Sequence, residues 1–369
     1  MDDTKKFWLC AVLAGLGYNG TKKLLEVCGD IKDIFNLSVK ELREAGIPSK
    51  TAENIVKWEK LPLEEEIKFC EENGISIVSI DDPSYPKLLK EIHSPPLLLY
   101  VKGTLPSDSD ICLAIVGTRN PSIYGIRMAE RFAEQLSIYG FTIVSGMARG
   151  IDTAAHRGTL KAGGKTVAVL GCGLRHCYPA ENLSLSKEIA KKGAVITEFP
   201  SYIMPLAENF PRRNRIVSGM SRGVLVIEAG QKSGALITAN LALEQGRDVF
   251  AIPGRADDLT SKGTNQLLKE GATLVESADD IMEALNLEIR REVKKAEKER
   301  VDLSNLSEIE KAILDRVPSG TNISIEELLI DTGIEQHLLF QSILSLITKG
   351  LIIELPGKFY TRYSGETLP

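Results

Sequence analysis

Two apolar patterns alternate between residues 62 and 285. Short unbroken runs recur: ISIVSI (75–80), ICLAIV (111–116), FTIVS (141–145), KTVAVL (165–170), AVIT (194–197), GVLVI (223–227) and DVFAI (248–252). Between them lie segments of helical spacing such as SIYGIRMAERFAEQLSIYG, GIDTAAHRGTLKAGG and SGALITANLALEQG. A run without polar alternation fits a strand buried on both faces. Strand and helix in regular succession predict an α/β domain of extended Rossmann type, with a doubly wound, mainly parallel sheet. Many of the helical segments close on glycine, as a C-cap does.

The flanks read differently. Residues 1–61 repeat one plan twice, helix, glycine-containing turn, helix, with breaks at GLGYNG and AGIPS. This is a helix-hairpin-helix or SAM-like unit, either holding a DNA phosphate on its turn amides or serving as a packing module. Residues 286–302 are densely charged with mixed sign and read as a linker. Residues 303–369 predict three helices and a hairpin turning at Pro356-Gly357, a winged-helix-like plan. A duplex reader would carry Arg, Lys, Asn or Gln on the third helix. Here that helix shows Glu335, Gln336, His337, Gln341, Ser342 and Ser345, with Lys349 only at its end. A protein-contact or structural role is expected of it.

Composition is ordinary for a globular chain of 369 residues. No apolar run is long enough to span a bilayer. Asp2, Asp3 and two lysines follow Met1 with no apolar signal core, so a cytoplasmic protein is expected. Cys172, His176 and Cys177 offer three metal-ligand side chains, but no second pair follows. The six scattered cysteines read as reduced thiols, with no metal or cofactor expected. The net charge of −5 argues against a protein that coats nucleic acid everywhere, yet leaves room for a local basic groove.

In an open parallel sheet, ligands bind beyond the carboxyl ends of the strands. Gly117, Thr118, Arg119 and Asn120 follow ICLAIV. Ser145 ends FTIVS and is followed by Gly146, Arg149, Gly150 and Asp152. KTVAVL leads to Gly171, Gly173, Tyr178, Pro179 and Asn182, AVIT to Glu198, and GVLVI to Glu228, Gly230, Lys232, Ser233, Gly234 and Thr238. Glycines bring backbone N–H groups close to a ligand, helix N-termini favour anions, and Arg119, Arg149 and Lys232 add charge. The pattern predicts a row of small anion sites suited to a polymer. GCG (171–173) lacks the third glycine of a dinucleotide fingerprint, and no GxxxxGK[ST] loop is present.

FPRRNR (210–215) adds three arginines in four positions with no acid among them. On a helix, Arg212 and Arg213 continue the apolar face of Ile216 and Val217 into the first turn, while Arg215 points elsewhere. Their guanidinium forks suit phosphate oxygens. The alternative is that they pair with Glu198 or Glu228 as buried supports. Tyr178 and Phe210 are candidates for stacking bases. His156 with Asp152 four residues earlier is either a base with its orienter or a helix-start hydrogen bond. No GxSxG or HExxH motif is present.

The ordered series IVGTRNPSIYG, SGMARGIDTAAHRG, VLGCGLRHCYPAEN, EFPSY, NFPRRNRIVSGMSRGVLVIEAGQKSGALITANLALEQGRDVFAIPG and GTNQLLKEGA closely resembles the DNA-processing protein A family, also called Smf. The resemblance runs from about residues 81–103 to 271–275. It implies a non-enzymatic protein that binds single-stranded DNA with little sequence preference and loads the RecA recombinase onto it. It also implies roles in natural transformation and recombination, and a homodimer formed through the Rossmann-type domain. The family's DNA-contacting residues carry over to Arg119, the loops Gly146–Asp152 and Gly171–Asn182, and Arg212, Arg213 and Arg215. Several relatives have a lysine where this chain has Ala180, and the resemblance then implies either a lower affinity or a phosphate contact shifted to Lys232. The enzymatic alternative is a phosphoribohydrolase of related fold. Its PGGxGTxxE loop would correspond to EAGQKSGALITA, which lacks the double glycine and the following glutamate.

Overall fold

The computed structural model of the chain describes residues 2–287, 306–318, 322–349, 351–355 and 359–362. These fall into two compact units, divided after residue 291. Most of the expected linker (286–302) and the Pro356-Gly357 turn lie outside the described residues.

The first unit opens with helices α1 (Asp3–Leu13), α2 (Tyr18–Cys28), α3 (Val39–Glu44) and α4 (Ser49–Val56). Asp2 caps α1, and Ser38 with Glu41 forms a capping box on α3. Next come α5 (Leu63–Glu72), β1 (Ile75–Ser79), α6 (Lys87–Lys90) and β2 (Leu98–Gly103). Strict alternation then takes over: β3 (Ile111–Val116), α7 (Ile123–Ile138), β4 (Phe141–Ser145), α8 (Ile151–Lys161), β5 (Thr166–Val169), α9 (Leu183–Lys192) and β6 (Ala194–Thr197). It continues through α10 (Asn209–Gly219), β7 (Gly223–Val226), α11 (Gly234–Glu244), β8 (Asp248–Ala251), α12 (Lys262–Lys269), β9 (Thr273–Leu274) and α13 (Ala278–Ala284).

The strands form one sheet in the order β1-β2-β6-β5-β4-β3-β7-β8-β9. β1, β2 and β6 pair antiparallel and all other neighbours pair parallel. All the expected strands are present. The apolar run before Gly103 forms a further strand, β2, and β9 was not foreseen because two exposed residues carry no apolar pattern. Alternate residues of β3 to β8 enter opposite cores, as the pleat requires. Leu113 and Ile115 pack with Phe132, Leu136 and Ile151, while Cys112, Ala114 and Val116 join the core of Ile216, Val217, Ala235 and Ala239.

The helical segment 1–61 is not a separate compact body. Trp8, Leu24, Ile34 and Ile55 belong to the same core as the second sheet face. Lys5 pairs with Asp82 at 2.6 Å, joining α1 to the turn after β1. Glu66 of α5, almost fully buried, accepts hydrogen bonds from the Ser201 N–H and hydroxyl, both at 2.6 Å.

The second unit contains α14 (Glu308–Arg316), β10 (Ile323–Ser324), α15 (Ile325–Thr332), α16 (Gln336–Thr348), β11 (Ile352–Leu355) and β12 (Phe359–Arg362). Its strands form an antiparallel sheet in the order β10-β12-β11. Glu310 completes the capping box of α14 and accepts from the Ser345 hydroxyl and the Lys349 ammonium, each at 2.6 Å. The Lys349 contact, with those of Ser345 and Ser307, holds the Glu310 carboxyl down to about 2. The ion at the end of α16 therefore fastens this helix to α14.

His156 of α8 is fully buried. Its Nδ1 lies 2.7 Å from the Thr166 hydroxyl, which itself donates to the Ile143 carbonyl at 2.7 Å. That hydroxyl must therefore accept from His156, placing the proton on Nδ1. Nε2 is buried with no partner. Burial, reinforced by the charge of Arg213, pushes the imidazole down to about 3 from its ordinary 6.5. The unfolded chain takes up this proton first, so stability falls as pH drops from 6.5 towards 3. His156→Asn keeps a donor towards Thr166 and removes the titration. Denaturant unfolding at a series of pH values should show the slope in this window flattened by up to about 1.4 kcal/mol per pH unit. An unchanged slope would assign acid sensitivity to other groups.

Candidate nucleic-acid interface

The chain leaves β3 for α7 on one sheet face and leaves β7 for α11 on the other. β3 and β7 are neighbours, so their following loops diverge and open a crevice at the carboxyl edge. A cavity of about 760 Å³ occupies it. Residues singled out from sequence that line it include Gly117, Thr118, Arg119, Gly146, Asp152, Tyr178, Phe210, Arg213, Gly230, Lys232, Ser233, Gly234 and Thr238. Met204, Pro205, Leu206 and Ala207 run beside it, and Pro205 and Ala207 form part of its wall. Sequence reasoning passed over that wall, although the apolar stretch IMPLA just before FPRRNR was its signal.

The three arginines of α10 go to three places, because successive helical positions turn by about 100°. Arg213 points inward and is fully buried. Its Nη1 donates to the carbonyls of Gly146 and Val169, and its Nε donates to Asn214 Oδ1 at 3.2 Å. Arg215 pairs with Glu198, both largely buried. Arg212 lies exposed with its guanidinium carbon 5.2 Å from the Phe199 ring centre. The expectation that all three meet a ligand is corrected for two of them: Arg213 and Arg215 support the fold. Phe199, which sets the position of Arg212, was not foreseen.

Asp152 is buried beside Arg213 and accepts from the Gly146 and Ala148 N–H groups at 3.1 and 3.2 Å. Burial raises its carboxyl, against the pull of Arg213 and the two amides. It does not pair with His156, so the reading of base and orienter is replaced by the structural one. Glu228, also buried, accepts from the Ser122 hydroxyl and Thr260 hydroxyl, at 2.8 and 2.9 Å, and from the Ser122 N–H at 2.9 Å. Ser122 is the N-cap of α7, so Glu228 anchors that helix start to the β7 loop.

Three amides of the expected row are engaged within the fold. The N–H of Thr118 donates to Glu228 O at 2.7 Å, that of Gly146 to Asp152, and that of Gly173 to Ile203 O at 2.8 Å. These glycines make room for neighbours instead. A side chain at Gly171 would meet the Phe210 ring, and one at Gly173 the carbonyls of Pro200 and Ser201. Gly150 has φ +79° and lies against Thr118 O, a position that excludes side chains. Ser145 is buried, its hydroxyl donating to Ile115 O at 2.6 Å, and the Asn182 amide donates to Met147 O and Thr153 Oγ1. Neither side chain is open to a ligand.

What faces outward is a set of cations and rings. Arg119 is exposed, makes no ion pair among the described residues, and lies 5.2 Å from the Phe210 ring centre. Phe210 stands 5.5 Å from Tyr178, tilted by 44°. Lys232 is exposed beside Ser233, the N-cap of α11, and the α-carbon of Gly234 is open. Arg149 is exposed too, but its fork holds Glu181, with Nε–Oε1 2.6 Å and Nη2–Oε2 2.8 Å. That partner was not anticipated from sequence.

This geometry defines a Rossmann-type α/β protein whose switch-point groove carries exposed cations interleaved with aromatic rings. The chain belongs to the DNA recombination-mediator protein A family, whose profile matches residues 76–286. Protein Smf of Escherichia coli is 41 % identical over 245 residues, covering 66 % of this chain and 66 % of that protein. The DNA processing protein DprA of Bacillus subtilis is 44 % identical over 216 residues, 58 % of this chain and 72 % of that one. The crystal structure of DNA processing protein A from Streptococcus pneumoniae matches with a TM-score of 0.67 at 36 % identity, covering 77 % of this chain and 98 % of that one. A Helicobacter pylori DNA processing protein A structure, described for its single-stranded DNA binding mode, matches with a TM-score of 0.52 at 31 % identity. It covers 57 % of this chain and 95 % of that one.

Two arginines one position apart should behave in opposite ways. Arg213→Met strips the donors from two buried carbonyls and leaves Asp152 without its neighbouring charge. Thermal unfolding should show a loss of roughly 3 kcal/mol or more. Arg212→Ala should leave the unfolding midpoint unchanged. Equal midpoints for the two variants would overturn the assignment of Arg213 as a support.

Proposed function

We propose that the chain binds single-stranded DNA, largely independently of sequence, along the carboxyl edge of its parallel sheet. The observation that carries this reading is the array Arg119–Phe210–Tyr178 lining the groove together with Lys232, with Arg212 exposed on the same helix as Phe210. Exposed cations meet phosphates, and every base has a face that stacks on an aromatic ring. The glycine loops shape the groove, and the side chains do the binding. The H. pylori relative's single-stranded DNA binding supports the same ligand here. Membership of the family further supports loading of RecA onto the bound strand, in DNA uptake and recombination.

The reading is of a binding protein. The two buried carboxylates bordering the groove, Asp152 and Glu228, are engaged by backbone amides and hydroxyls, so neither is placed to act on a glycosidic bond. No helix among the described residues is long and apolar enough to cross a membrane. A homodimer through this domain is supported by α11, whose sequence GALITANLALE is apolar around most of its circumference and leaves Ile237 and Leu243 43 % and 58 % exposed.

Fluorescence anisotropy with oligo-dT tests the groove. The logarithm of affinity should fall with the logarithm of salt by roughly 0.7 per phosphate neutralised, and Arg119→Ala should flatten that slope by about one phosphate. Phe210→Ala should weaken binding by about 1–3 kcal/mol with little change in slope. Wild-type binding by both variants at every salt concentration would place the strand elsewhere. For the dimer, Leu243→Glu should shift sedimentation equilibrium towards monomer, and an unaltered mass would remove α11 from the interface.

A further inference from the structure

Arg149 and Glu181 come from different loops, after β4 and β5, and form a bidentate pair beside Tyr178, which lines the groove, while Glu181 also lines a neighbouring hollow with Arg157 and Lys161. The Asn182 amide bonds to Met147 O and Thr153 Oγ1 at 3.0 and 2.8 Å and locks the second loop against the first. Both charged side chains nevertheless remain more than half exposed, at 59 % and 55 %. Tyr178, three residues before Glu181, packs on Phe210, so the pair adjoins the aromatic array. The two N–H groups facing the carboxylate are those a guanidinium offers side-on to a phosphodiester. An ion pair this exposed is weakly held, so its carboxylate is readily exchanged for another anion.

Resting on the single-strand reading above, we propose that Glu181 is a resident counter-anion of the groove. It fills the Arg149 fork in the free protein and gives way to a phosphodiester when a strand enters. Exchange leaves a displaced carboxylate near the incoming phosphate, a repulsion that opposes binding. A ligand with one or two phosphates gains little from the exchange. A strand already held by Arg119, Arg212 and Lys232 brings the next phosphate to Arg149 at high local concentration and completes it. Glu181 thereby disfavours short fragments relative to long strands. Ala180 beside it contributes no cation to relieve that repulsion.

Glu181→Gln is the test, with thermal melting to confirm an intact fold. Removing the charge should tighten oligo-dT binding by up to about fivefold at low salt and steepen the log–log salt slope by up to about 0.7. The gain should be larger for short oligonucleotides than for long ones. In an Arg149→Ala background the same change should have a much smaller effect. Unchanged or weaker binding by Glu181→Gln, while Arg119→Ala still weakens binding, would overturn the counter-anion proposal and leave the groove reading standing. If neither variant alters binding, the groove reading itself fails.

Discussion

One buried guanidinium organises the carboxyl edge of the sheet. Arg213 reaches from α10 under the groove and donates to Gly146 O, just beyond β4, and to Val169 O, at the end of β5. Carbonyls at strand ends are acceptors the ladder no longer serves, and buried ones require a donor. Asp152, itself held by the Gly146 and Ala148 amides, sets a negative charge beside that donor. The arrangement fixes the floor of the groove and leaves no space for a side chain at Gly146. Every outward-facing group stands on that floor.

The consequence for recognition is a division of labour between backbone and side chains. In many phosphate sites the loop amides bind and the side chains assist. Here the Thr118, Gly146 and Gly173 amides are satisfied within the fold. On the proposed reading, binding falls to Arg119, Arg212 and Lys232 with Phe210 and Tyr178. Such a surface tolerates a flexible strand whose phosphates and bases do not repeat with helical regularity.

The flanking parts stand in different relations to this edge. The N-terminal helices share a core with the sheet, and Glu66 reaches from α5 to the Ser201 loop that follows β6. They are part of the body that carries the groove. The second unit is compact by itself, with Glu310 and Lys349 fastening α14 to α16. The exposed positions of α16 include His337, Gln341 and Leu344 and no arginine, in keeping with a contact surface other than duplex DNA.

Much was legible in the amino-acid order alone. Unbroken apolar runs between helical segments determined the parallel sheet, because both its faces must be buried. The position of conspicuous residues just after strands determined which edge bears the groove. The order of motifs determined the family. What the one-dimensional pattern left open was the direction of each side chain and the partner it meets. FPRRNR presents three equivalent cations in sequence, yet helical rotation sends Arg213 to buried carbonyls, Arg215 to Glu198 and Arg212 to the surface. The glycine loops look like open anion cradles until Phe210, Pro200 and Arg213 arrive from distant segments to fill them. Only the tertiary structure decides such pairings. A hydrogen bond or a cavity depends on distances of a few ångströms between residues tens of positions apart, and local spacing carries no record of them.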